Sequence, residues 1–380
     1  MHEHKHNQCR RKVKHRKNVM KLIIFCITVG ISLMFIYYQN LRKEIDARQK
    51  WLETVLTGEK KWILENQGPE GEFYMNGSKA GDVNPYFACM AALGLLAETK
   101  NCPITETEKK AVGRYLDWHT GILLETDGKM GIYRKKSGKL IYKEKADSED
   151  GYLGMYLFLM GKYLEKTEST DLPEYWKKGI SLALKKIQSL MQDGITQVSE
   201  ENTTVYLMDN LEVWKGLYEL EHAGLKDAQA IREMRNKLQA QIEKLFWDDA
   251  NQRWRIIENS DLYHQKEFYP DGVAQIYPLI YEFPVKEKKK QKILYKQFTE
   301  RFQWQKLTKK RNGFLWAMTG MAAAQMGDIN NLLEMIRNYE AEYCENRKYP
   351  LYTGEAGWIC MECEKLYSLY ERKIKTGFLV

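Results

Sequence analysis

The chain has 380 residues, a formal net charge of +8 and 44% hydrophobic side chains, a length that holds one large domain or two ordinary ones. Residues 1–21 carry eight Lys/Arg against one acid, so the remainder is close to neutral, which excludes a broad nucleic-acid surface. Seven cysteines are an odd and sparse set, two of them (Cys9 and Cys26) near the N-terminus, and they exclude a disulfide framework.

In chain order, residues 1–21 read as a basic cytoplasmic tail and residues 22–39 as a transmembrane anchor. Leu22 to Tyr38 is unbroken by charge, with Arg10, Arg11, Lys12, Arg16, Lys17 and Lys21 before it and Tyr37 and Tyr38 at its far end. A run of that kind is near the lower limit for a bilayer core of ~30 Å. Cations on the N-terminal side place the N-terminus in the cytoplasm and residues 40–380 outside. No small-x-small cleavage site follows, so the run predicts an uncleaved anchor.

Residues 40–380 predict an all-α domain in which amphipathic and fully apolar helices alternate. The amphipathic segments are 41–66, 106–119, 173–192, 227–246, 286–302 and 328–343. The apolar ones open at Asn84, Asp150, Tyr206, Tyr269, Asn312 and Tyr352. Six repeated hairpins predict six inner helices ringed by six outer ones, an (α/α)6 toroid; an open solenoid is the alternative. Connections from inner to outer helix are short, as at Gly224-Leu225-Lys226, whereas those from outer to inner are long. Long helix connections are commonly functional. One of them, Met130–Tyr133 and Lys139–Tyr142 around Ser137-Gly138, predicts a β-hairpin.

The face where the inner helices begin gathers Asp82, Asp147, Glu149, Asp150, Asp209, Asp271 and Glu355. Taken singly, an acid at a helix start is most simply a cap. Taken together, carboxylates at a ring of helix starts converge on one funnel. A helix N-terminus favours an ionised carboxylate, and crowding among Asp147, Glu149 and Asp150 raises one pKa. One ionised and one protonated carboxyl are what glycoside hydrolysis needs. Asp150 or Glu149 is the expected general acid, and Asp209 or Asp271 the expected base. Asp147, Asn210, Glu355, Tyr133, Trp254, Tyr263 and Trp316 are expected to contact the substrate. His119, His222 and His264 form no ligand pattern, and Cys360-Met-Glu-Cys363 lacks a second ligand pair, so neither metal nor cofactor is predicted.

The repeated hairpins with acid-led inner helices resemble the six-hairpin glycosidase superfamily. Ser148-Glu149 followed by Gly154-Met155 is similar to the family 8 endoglucanase motif S-E-G-x-x-Y-G-M, whose Glu is the general acid, with Asp150 in place of the Gly and Tyr152 displaced by one. The stretches DSEDGY, YLMDNLEVW, YPDGVAQIYP and NGFLWA are closer to bacterial, membrane-anchored members. The resemblance implies an exported or cell-envelope polysaccharide as substrate and a polysaccharide synthase complex as a candidate partner. Three other readings remain open at this point. A lyase on the same toroid would use Tyr263 or His264 as base, with Arg253 and Arg255 neutralising a uronate. A terpene-cyclase-like toroid would use Asp147-Ser148-Glu149-Asp150 as proton donor. A non-catalytic carbohydrate-binding component would keep the aromatics without needing the acids.

Overall fold

The computed structural model describes residues 2–77, 81–136, 139–169, 172–225, 228–260, 267–307 and 313–376, with side chains from Met20 to Lys375. Helix α1 runs unbroken over His2–Glu65, so the predicted tail, anchor and first amphipathic helix share one helix. It exposes Leu22, Ile23, Phe25, Leu33 and Phe35, and among the described residues it is the one helix long and apolar enough to cross a membrane. Glu53–Glu371 fold as one compact unit, and the stretch through Leu52 belongs to another.

Among the described residues eleven further α-helices follow: α2 (Pro85–Leu95), α3 (Glu106–Glu125), α4 (Glu149–Thr167), α5 (Glu174–Leu190), α6 (Leu207–His222), α7 (Ala228–Phe246), α8 (Val273–Ile280), α9 (Lys288–Phe302), α10 (Thr319–Met326), α11 (Ile329–Tyr339) and α12 (Thr353–Thr376). Short polar side chains set several starts. Thr105 and Glu108 form a reciprocal capping box on α3, Asn84 caps α2 and Ser148 caps α4. The even-numbered helices are the apolar ones; α4 buries every residue from Glu149 to Gly161.

These inner helices pack in ring order, α2 on α4, α4 on α6, α6 on α8 and α8 on α10. Glycine makes the tightest crossings possible. A Cβ at Gly216 of α6 would stand 2.2 Å from the Gly154 carbonyl oxygen of α4. The same device closes the circle: a Cβ at Gly357 of α12 would stand 2.1 Å from the Met90 carbonyl oxygen of α2. Trp358 Nε1 donates to Met90 Sδ at 3.1 Å along that seam. Direct packing of the last inner helix on the first rules out the open solenoid. The fold is the predicted all-α (α/α)6 toroid.

The outer-to-inner connections carry the strands. The sheet β1 (Asp82–Val83), β2 (Gly131–Lys136) and β3 (Lys139–Lys145) is antiparallel in that order, with a bulge beside Ile132 and Tyr133. The predicted strand pair is therefore present, its first strand ending at Lys136 rather than Tyr133 and its second at Lys145 rather than Tyr142, and Ser137-Gly138 lie outside the described residues. Two smaller hairpins, β4 (Met191–Gln192) with β5 (Ile195–Thr196) and β6 (Trp247–Asp248) with β7 (Arg253–Trp254), lie in the next two connections.

Candidate active site

A cavity of about 960 Å³ opens where the inner helices begin. The sheet supplies one wall through Asp82, Ile132, Arg134, Lys143 and Lys145. Tyr269, Phe314, Trp316 and Tyr352 supply an aromatic wall. Asp147, Ser148, Asp209, Glu212, Tyr277 and Glu355 also lie in the lining.

The acids at these helix starts are not the caps. Asn84 Oδ1 accepts the Tyr86 N–H at 2.9 Å, and Ser148 Oγ accepts the Gly151 N–H at 3.2 Å. Asp147, one residue before the Ser148 cap, is left exposed on the cavity surface. Asp209, half-buried in the first turn of α6, also reaches the cavity. Burial, then the neighbouring carboxylates Asp150 and Glu212, push the Asp209 pKa well above the usual carboxylate range, against a hydrogen bond from Ser148.

Glu212 lies one turn further along α6, so it shares the Asp209 face. It is 3% exposed, and one oxygen, Oε1, takes hydroxyls from three tyrosines: Tyr277 at 2.6 Å, Tyr281 at 3.4 Å and Tyr86. Burial raises its pKa to about 8 although the Tyr277 and Tyr86 hydroxyls oppose the shift. The folded chain therefore holds a proton on Glu212 that the unfolded chain releases near 4.5. Between those values the folded state binds more protons, so stability from this group is full below about 4.5 and falls as pH rises towards about 8. Melting the wild type and Glu212→Gln in parallel from pH 5 to 8 should show the wild type losing more with rising pH. Parallel curves would remove Glu212 as the source.

Glu355, 5% exposed, accepts the backbone N–H groups of Leu315 and Trp316 on Oε1 (both 3.1 Å) and of Ala317 on Oε2 (2.8 Å). Burial pushes its pKa up to about 7 against those three donors. Both oxygens are thus occupied in holding the segment that carries Trp316. Trp316 adopts a left-handed backbone (φ +61°), and its ring lies 4.8 Å from that of Tyr269.

Several expected site residues stand elsewhere. Asp150 does not line the cavity: it is fully buried and accepts from Thr196 Oγ1 at 2.7 Å, Ser148 Oγ at 2.8 Å and the Gly151 N–H at 3.0 Å. Burial lifts its pKa to about 6 against those bonds, rather than the expected crowding with Glu149. Asn210 is on the same inward side, its amide bridging the Thr196 and Tyr206 carbonyls while Oδ1 accepts the Thr196 N–H. Together the two tie α4 and α6 to β5.

Glu149 does not line the cavity and pairs with Lys145 at 3.4 Å, so the acid position implied by the family 8 motif is not at the cavity surface. Asp271 is 2% exposed and outside the lining. Trp254 is a core residue, 1% exposed, donating to Gln291 at 2.9 Å. Tyr133 points from β2 onto α3, edge-on to Trp118 at 5.9 Å. Tyr263 lies outside the described residues. Asp82, Asp147, Asp209, Glu355 and Trp316 are the expected residues that the fold brings together. The sequence reading missed Glu212 and the tyrosines around it; an acid three residues after Asp209 in an apolar helix was the available signal.

Solved structures share this architecture. A glycosidase matches over 85% of this chain and 98% of its own, with a TM-score of 0.61 at 12% identity. A glycosidase variant in complex with glucose matches over 87% and 98%, with a TM-score of 0.57 at 13% identity. A rhamnosidase from Klebsiella oxytoca with rhamnose bound matches over 82% and 63%, with a TM-score of 0.53 at 11% identity. No family model matches the chain, and no curated protein matches it in sequence. At these identities the likeness is one of fold: the chain shares a helical toroid with these glycosidases.

Proposed function

We propose that the chain is a glycoside hydrolase acting on an exported or cell-envelope polysaccharide, held to the membrane by α1 with its toroid outside. The observation that carries this reading is the pairing, in one cavity, of an exposed carboxylate with one pushed towards its protonated form. Asp209, protonated, donates to the glycosidic oxygen as the bond to the anomeric carbon breaks. Asp147, exposed in the same lining, takes the proton of the water whose hydroxyl replaces the leaving sugar, or itself bonds the anomeric carbon first and is then displaced by that water. The Tyr269 and Trp316 rings offer a face for a sugar ring to stack on, and Glu355 keeps that face in place. Glu212 beside it opposes ionisation of Asp209, because two carboxylates in one buried pocket would repel each other.

This reassigns the general acid from Asp150 to Asp209 and gives Asp150 a positioning role. A polysaccharide synthase in the same membrane is the partner such a setting implies. Intact cells making the full chain should release new reducing ends from a polysaccharide too large to enter them, and cells making Asp209→Asn should not. Release only after lysis would overturn the location. No release from any of a neutral, an amino and an acidic polymer, in cells or lysate, would overturn the activity.

A further inference from the structure

The β2–β3 hairpin sets three cations and the acid Glu144 on the cavity wall. Arg134, Lys143 and Lys145 lie on the cavity wall. Side chains alternate along a strand and cross-strand partners share a face. Arg134 stands opposite Ile141, and Lys136 opposite Lys139, so Arg134, Lys136 and Lys139 continue the cavity-facing side to the end of the hairpin. Like charges directly opposite one another weaken a strand pair. Lys136 and Lys139 are both exposed, and among the described residues neither has an acidic partner. The acids on this wall are already engaged. Asp82 binds Arg134 and Lys143, the latter at 2.8 Å, and Glu144 binds Lys143 at 2.9 Å. Deeper in the cavity, burial holds Asp209 and Glu212 towards their neutral forms, so the floor opposes an anion less than its residue types imply.

We propose that the glycan bound in this cavity is anionic, carrying carboxylate or phosphate groups along its length, and that it leaves the cavity over the Arg134, Lys136 and Lys139 face of the hairpin. The inference rests on the carbohydrate reading of the cavity, but binding can be scored apart from cleavage. The test uses the full chain in a neutral polyoxyethylene detergent. It measures affinity for polygalacturonate against its carboxyl-reduced form, and for a phosphomannan against its dephosphorylated form.

At least one charged polymer should bind tenfold or more tightly than its neutral counterpart, with affinity falling as salt rises. Lys136→Glu combined with Lys139→Glu should lose about tenfold of that affinity, and the double alanine variant should lose less. Both side chains are exposed, and unchanged melting of the variants checks that folding is intact. Which charged polymer binds names the group recognised. Equal binding of charged and neutral forms, failure of both charged polymers to bind, or wild-type affinity in the charge-reversed variant would each overturn the inference. Charged-polymer binding without new reducing ends would uphold it while removing the hydrolase reading. Cleavage of a neutral form with no preference for charge would do the reverse.

Discussion

Asp209→Asn should abolish turnover and leave the toroid folded. A positioned general acid contributes typically 10²–10⁴-fold, so kcat should fall by about a thousandfold with a smaller change in KM. The amide matches the carboxyl in shape and cannot donate the proton that the leaving oxygen needs. It also removes a crowded carboxyl from beside Asp150 and Glu212, so the melting temperature should hold or rise. Asp150→Asn is the informative contrast. Asp150 has no exposed surface and meets the cavity lining through Ser148 and Gly151, so its kinetic loss should be much smaller and its cost should appear in melting. Initial rates and melts on the two variants separate the roles. A thousandfold loss in Asp150→Asn with near-normal rates in Asp209→Asn would return the acid to α4.

Gly357→Val should open the ring. The added side chain meets the Met90 carbonyl at 2.1 Å and Ala91 Cα at 2.9 Å, both of them backbone, so no rotamer change relieves the clash. Overpacking a core costs typically 1–3 kcal/mol, and a clash with fixed backbone belongs at about 3 kcal/mol or above. Since α12 against α2 is the contact between the last and first inner helices, the loss should appear as lower denaturant midpoints for the whole compact unit. Gly121→Ala is the control: it sits inside α3 with nothing within 4 Å of its Cβ, so it should stabilise by roughly 0.5–1 kcal/mol. If Gly357→Val melts like the wild type, the seam is not where the toroid closes.

The architecture was legible because burial leaves a strong mark on helices. Helices such as α2 and α4, apolar on every side, alternate with half-polar ones such as α7, and that rhythm yields the hairpin count directly. The site was legible only in outline. Asp147, Glu149 and Asp150 fall within one turn, and successive residues on a helix point about 100° apart, so proximity in sequence says nothing about which one faces the cavity. The direction was decided by the partners: Thr196, far along the chain, draws Asp150 inward, and Lys145, four residues back, pairs with Glu149.

Loop aromatics posed a similar difficulty. Trp254 and Trp316 both sit near the start of an inner helix, but Trp254 is pinned into the core by Gln275 and Gln291, whereas the clamp of Glu355 presents Trp316 to the cavity. Glu212 could have been found. An acid in the middle of an otherwise buried helix must be neutralised or paired. Its spacing from Asp209 put it on the face already singled out.

The most direct test of the central claim is to digest polygalacturonate, phosphomannan and their neutral counterparts with the full chain in water labelled with heavy oxygen, and to weigh the fragments. Hydrolysis assisted by Asp147 and Asp209 predicts one heavy oxygen at each new reducing end and none elsewhere, with the signal lost in Asp209→Asn. Unsaturated fragments that carry no label would contradict it, because the bond would then break by elimination and no water would enter the product.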